Sequence, residues 1–214
     1  MNLRNSENLW VLGVFLGITG LLAALILALV SQMTAEPIAK ARLKSQLQAL
    51  RKLNLPEFNN NITADTVTID GIEFMAAKKD GKLVGFAAKG SNKLGYSGNI
   101  TALVGFDAKG SILAVQILEH NETPGLGAVV CERKFQKTIF NFTKPAPAGL
   151  PPNPVLDQFN GKNAANSGSW KISKDGGSFQ FRTGATVTSR AVTALVNTIS
   201  GKFALAVKQF QESK

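Results

Sequence analysis

Two short segments carry residue types that could do chemistry. The first is Phe181-Arg182-Thr183-Gly184-Ala185-Thr186-Val187-Thr188-Ser189-Arg190, rich in hydroxyls and small residues, which runs straight into an apolar helical pattern. Read plainly, Thr188 or Ser189 caps that helix, because a hydroxyl oxygen accepts from an N–H of the first turn. The same position suits a phosphate, since the first-turn N–H groups lack partners inside the helix and lie at its positive end. Gly184 and Ala185 let a bulky ligand approach the backbone. The second segment is His120-Asn121-Glu122-Thr123-Pro124-Gly125-Leu126-Gly127, which follows a predicted strand. Its proline and two glycines hold one apolar residue, Leu126, in a fixed pose, either as a structural turn or as the wall of a site. His120 reads as a polar strand-end residue.

Composition excludes other chemistry. A single cysteine, Cys131, leaves no intramolecular disulfide, no four-cysteine zinc site and no iron–sulfur cluster held by this chain alone. It reads as a buried helix residue. One histidine makes no histidine-based metal centre, and no glycine-rich dinucleotide fingerprint follows a strand. The formal charge of +10 raises the question of nucleic acid. The basic residues are dispersed, however, and lack the aromatic interleaving of single-strand binders. The charge reads instead as a solvated surface, or one that meets an acidic partner or anionic lipid headgroups; no nucleic-acid partner is expected.

The elements that must position these segments begin with an anchor. From Leu9 to Val30 no residue is charged and only Thr19 is polar. Such a run, roughly 22 residues and about 33 Å as a helix, matches a bilayer core of about 30 Å. It is long for a signal peptide, and Met33-Thr34-Ala35 makes a poor cleavage site. Trp10 fits an interfacial aromatic. The division expected is a tail over 1–8, a transmembrane helix over 9–31, an amphipathic stalk helix over 36–56 and a soluble domain over 62–214. In the stalk, Ile38, Leu43, Leu47, Leu50 and Leu53 approximate one face, Pro37 suits the first turn, and Leu55-Pro56 ends it.

Within the domain, Ile72–Lys78 and Leu83–Ala88 flank Asp80-Gly81, and Ile100–Phe106 and Ile112–Leu118 flank Lys109-Gly110, so two hairpins are predicted. Gly95-Tyr96-Ser97-Gly98 reads as a turn between them, Asn59–Asn61 as a loop and Val129–Phe140 as a helix. Prolines make Lys144–Pro154 an extended loop. Trp170–Ile172 and Ser178–Phe181 could pair around Lys174-Asp175-Gly176-Gly177. The final helix is the clearest element: Val192, Leu195, Val196, Ile199, Phe203, Val207 and Phe210 recur at three- and four-residue spacing. Lys202 and Lys208 sit toward its C-terminal end, complementing the dipole. Strands followed by packed helices, without regular alternation, predict an α+β domain.

Taken together, Glu122–Gly127 and Thr183–Ser189, about sixty residues apart, resemble the FMN-binding domain of the RnfG/RsxG-type subunit of electron-transport complexes. The C subunit of the sodium-translocating NADH:quinone reductase is similar. Gly95–Ile100 and the Trp170–Gly177 region add to the match, and one N-terminal membrane helix belongs to both families. The modest length and the Thr183–Ser189 ending favour the RnfG/RsxG type.

The resemblance implies FMN joined through its phosphate to the hydroxyl of Thr186, by a dedicated flavin transferase that draws on FAD. Thr183, Gly184, Ala185, Thr188, Ser189, Glu122, Thr123 and Leu126 would complete the cofactor site, with Leu126 an apolar contact. The transferase's usual signal places an acidic residue three positions before Thr183, where this chain has Gln180. The resemblance further implies an electron relay within an ion-translocating ferredoxin:NAD oxidoreductase complex. Its partners would be the other membrane and peripheral subunits, the transferase and membrane lipid. A cofactor-free membrane-anchored assembly protein is the reading from another class. Local positive charge after the apolar segment, Lys40, Arg42 and Lys44 against Arg4 before it, would put the C-terminal side in the cytoplasm. The resemblance implies the reverse, a bacterial inner-membrane protein with its FMN domain on the periplasmic or outer face.

Overall fold

A computed structural model describes residues 9–134 and 149–212. The chain divides into two compact units, Met1–Ser45 and Gln46–Lys214. The expected tail over 1–8 lies outside the described residues.

One helix, α1, runs from Leu9 to Lys52. Its N-terminal part is long and apolar enough to cross a membrane, and the large apolar side chains there are exposed. The two helices expected from the sequence are thus continuous. Nothing between Ser31 and Glu36 breaks a helix, and Pro37 inside it removes only one backbone donor. Thr34 donates its hydroxyl to Val30 O, at 2.8 Å. The stalk reading is corrected in its packing too. Ile38, Leu43 and Leu47 are exposed, and only the last turn, at Ala49 and Leu50, is buried along with Leu53.

In the second unit, five antiparallel strands form a meander in sequential order: β1 (Thr66–Ile69), β2 (Ile72–Lys79), β3 (Lys82–Gly95), β4 (Gly98–Asp107) and β5 (Ile112–His120). Both expected hairpins are present, and Tyr96-Ser97 turns β3 into β4. The sequence reading missed β1. Its signal was Asp70-Gly71, where both residues have positive φ, as in the tight turn that joins twisted strands.

Both faces of the sheet are buried, which explains why β2, β3 and β4 carry unbroken apolar runs instead of alternating ones. On one face Phe74, Phe86, Val104 and Phe106 pack with α3 (Thr186–Gly201) and α4 (Phe203–Glu212). On the other, Met75, Ala77, Ala87, Leu103 and Ala114 meet Leu50, Leu53 and Ile62. Small residues set that second distance: a Cβ on Gly105 would stand 3.1 Å from Leu53 Cβ.

The terminal helix is two helices, broken at Lys202 after Gly201, a poor helix former. Val192, Leu195, Val196, Ile199, Phe203 and Phe210 are buried as the spacing predicts, and Val207 is partly buried. The helix expected over Val129–Phe140 is shorter in its described part. As α2 it covers Gly127–Cys131, and Glu132 is already extended; residues 135–140 lie outside the described residues, as do 144–148 of the proline-rich loop. Trp170–Ile172 and Ser178–Phe181 do not form a hairpin. One isolated parallel bridge joins Ile172 to Phe179 around a 3-10 turn over Ser173–Asp175.

Leu53 is fully buried against the sheet. Leu53→Ala should cost about 2–5 kcal/mol, the range for truncating a large core side chain. Chemical denaturation of the full chain in detergent, followed by near-ultraviolet circular dichroism, measures it.

Candidate functional site

The two chemistry-bearing segments meet in space at the start of α3. β5 ends at His120, and the chain turns through Pro124-Gly125 into α2, with Leu126 N and Ala128 N both donating to Thr123 O at 3.2 and 3.1 Å. That arrangement leaves Leu126 half exposed at the tip of the loop. Opposite it, Gly184 adopts φ +84°, which favours glycine, and a Cβ there would lie 3.3 Å from Leu126 Cδ2. Ala185 precedes the helix, and Thr186 is its first residue.

Between these segments lies an open cavity of about 520 Å³, lined by Glu122, Thr123, Leu126 and Gly127 from one side and by Gly184 through Thr188 from the other. Tyr96, from the turn between β3 and β4, completes the lining. The volume falls within the range of small-molecule and cofactor sites, roughly 300–1,000 Å³.

Glu122 ties the three segments together. It is 5% exposed, and both carboxylate oxygens have donors. Oε1 accepts from Ser97 N at 3.1 Å, and Oε2 accepts from Thr188 Oγ1 at 2.7 Å. Its own N–H donates to His120 Nδ1 at 3.2 Å, so His120 serves the loop from the end of its strand. The packing is tight enough that a Cβ on Gly127 would overlap Glu122 Oε2.

The structure corrects the capping assignment. No side chain caps α3, whose N-cap residue is Ala185. Thr188 and Ser189 lie within the helix, past its first residues, and are buried. Thr188 spends its hydroxyl on Glu122. Ser189 Oγ donates to Ala185 O at 3.0 Å and accepts from Arg182 N at 3.3 Å, which shapes the run before the helix. The first-turn N–H groups therefore have no side-chain acceptor at the point where the cavity opens.

Of the residues predicted for the site, Gly184, Ala185, Thr186, Thr188, Glu122, Thr123 and Leu126 line the cavity, while Thr183 and Ser189 do not. Thr186 is half-buried and Thr183 exposed. Tyr96, Gly127 and Val187 were missed as lining residues. Only the match over Gly95–Ile100 hinted at Tyr96, because nothing in the spacing says that this turn approaches α3. Gln180 is exposed, and its backbone is held by Gln158, which accepts from Gln180 N at 2.6 Å and donates to Gln180 O at 3.1 Å. Asp175 pairs with Arg190 through two bonds of 2.7 and 2.5 Å. The guanidinium holds that carboxyl below its ordinary range. Cys131 is buried as the sequence implied; burial, then the nearby Glu122 and Glu132, push its thiol up to about 12, so it is not a nucleophile at neutral pH.

Comparison with known proteins agrees with this geometry. A family model described as the FMN-binding domain matches residues 95–200, which include the turn carrying Tyr96, the Glu122 loop and most of α3. Proteins named as the G subunit of the ion-translocating oxidoreductase complex are similar over most of the chain. The one from Haemophilus influenzae strain PittEE is 35% identical over 188 residues, covering 84% of this chain and 83% of its own. Those from Salmonella typhi and Vibrio cholerae serotype O1 are each 32% identical, covering 79% and 86% of this chain and 78% and 85% of their own.

Removing the carboxylate in Glu122→Ala leaves the Thr188 hydroxyl and the Ser97 amide without their acceptor, at a cost of about 1–3 kcal/mol. Thr188→Val should add little to it, because the one bond it breaks is already lost in Glu122→Ala. Denaturation of the two single variants and the double variant tests this coupling; fully additive losses would contradict it.

Proposed function

This chain belongs to the family of G subunits of ion-translocating oxidoreductase complexes, and from that premise we propose that it relays electrons through an FMN joined by its phosphate to Thr186. The observation that carries this reading is the position of Thr186: the first residue of an uncapped helix, half-buried, on the wall of a cavity of cofactor size. Tethered FMN would supply acceptance of two electrons and their release one at a time, which links two-electron to one-electron partners.

The chain's own residues fit that group. The N–H groups of the first turn of α3 would hold the phosphate, aided by the helix dipole. Leu126 and Val187 offer apolar side chains to the ring system, and both are exposed enough to be covered by it. Gly184 keeps the backbone open beside the acceptor hydroxyl. Glu122 acts at one remove, since both of its oxygens are engaged by the protein, and it holds the cavity walls in register.

Attachment by a flavin transferase would form the Thr186 Oγ–phosphorus bond as the pyrophosphate of FAD breaks and AMP leaves. Thr183 and Gly184 are exposed, so the acceptor run is open to such an enzyme. The apolar stretch over 9–31 would anchor the chain in the bacterial inner membrane, in contact with lipid. The FMN domain over 62–214 would then lie on the periplasmic or outer face, where the other subunits of the complex are met. Within that complex, electrons would pass between ferredoxin and NAD at sites on other subunits.

Co-expression with a flavin transferase, followed by a denaturing gel viewed under ultraviolet light in acid, tests the attachment. Wild type should give a fluorescent band and Thr186→Val none, and mass spectrometry should place FMN on the peptide containing Thr186. Gln180→Asp restores the usual acidic signal and should raise the labelled fraction. A dark wild type, or a label that survives Thr186→Val, would refute the assignment.

A further inference from the structure

Tyr96 is the only tyrosine of the chain, and the residue is 75% exposed, more than any other large apolar or aromatic residue described in the second unit. Most aromatic rings of that unit are in the core. Phe86, Phe106, Phe159 and Trp170 are buried and make ring contacts with one another or with Phe179, Phe203 and Phe210. An exposed ring beside a cavity has apolar area left for a bound ligand to cover.

The turn that carries Tyr96 is held rigidly. Ser97 N is bound to Glu122 Oε1. Gly95 pairs with Gly98 across the turn, and a Cβ on Gly95 would stand 2.6 Å from both Glu122 Oε1 and Gly98 O. The turn that carries Tyr96 is therefore tied through Ser97 to the same carboxylate that holds α3, and Tyr96 lines the cavity together with Leu126, Thr186 and Val187. An exposed aromatic residue on a tied turn, the one aromatic among the residues lining this cavity, is suited to a flat aromatic ligand. Aromatic pairs gain from offset stacking beyond the area they bury.

We infer that Tyr96 is the aromatic wall of the cofactor site and packs against the flavin ring system attached at Thr186. This inference rests on the attachment reading above and adds the residue that positions the ring. Glu122 then has two linked tasks, since one carboxylate sets the spacing between the helix bearing the attachment residue and the turn bearing the aromatic wall.

The test uses the full-length flavinylated protein and a readout other than electron transfer. A tyrosine in contact with a flavin quenches its excited state by donating an electron to it, whereas phenylalanine and leucine do not. Flavin fluorescence lifetime in native protein should therefore lengthen several-fold in Tyr96→Phe and in Tyr96→Leu relative to wild type. The visible absorption band should stay close to wild type in Tyr96→Phe, which keeps a ring, and shift in Tyr96→Leu. Fluorescence of the acid-denatured gel band reports attachment independently of stacking and should be equal in all three. Equal bands with unchanged lifetimes overturn the placement of Tyr96 alone. A dark band in all three overturns the attachment reading, and this inference with it.

Discussion

The site depends on one buried carboxylate. Glu122 sits where three stretches converge, and its two oxygens satisfy a backbone N–H from the β3–β4 turn and a hydroxyl from the first turn of α3. A buried carboxylate is costly unless its oxygens meet donors in good geometry. That cost makes the arrangement specific: any slip of the helix or turn strands a charge. The cavity is the space left between the elements that this carboxylate holds apart.

The scaffold beneath it follows from the burial of both sheet faces. Helices α3 and α4 cover the side with the phenylalanines, while the end of α1 and the residues after it cover the side rich in alanine and glycine. With both faces covered, the meander becomes a rigid platform, and loops at one end of its strands can hold a ligand. The same burial removes the polar alternation by which a strand face is usually read, so composition hints at strands while saying little about what packs on which side. Gly105 against Leu53 and Gly90 against Ile199 show how closely each cover approaches the sheet.

Much of this architecture was legible because its causes are local. Asp80-Gly81 and Lys109-Gly110 dictate turns whatever surrounds them, and a three- and four-residue apolar spacing forces one helix face inward. The errors arose where neighbours decide. Pro37 reads as the start of a helix, yet sits inside one, because the residues before it are helix-compatible and a single missing donor is tolerated. Thr188 and Ser189 read as caps because hydroxyls usually serve there. Both point inward instead, since Glu122, sixty-six residues earlier, and the Arg182 amide compete for them. The short strand β1 was overlooked although Asp70-Gly71 marked its turn.

Sequence alone determined the apolar N-terminal segment, the two hairpins, the amphipathic terminal pattern and the two motifs that carry the family likeness. Each is written in contiguous residues and needs no knowledge of distant contacts. Tertiary structure alone decided that Thr186 begins α3 without a side-chain cap, that Glu122 supports the cavity through Thr188 and Ser97, and that Tyr96 stands at its mouth. Those facts depend on which strand end lies beside which helix start. Spacing along the chain cannot specify that, because the pairing is set by packing across the whole sheet.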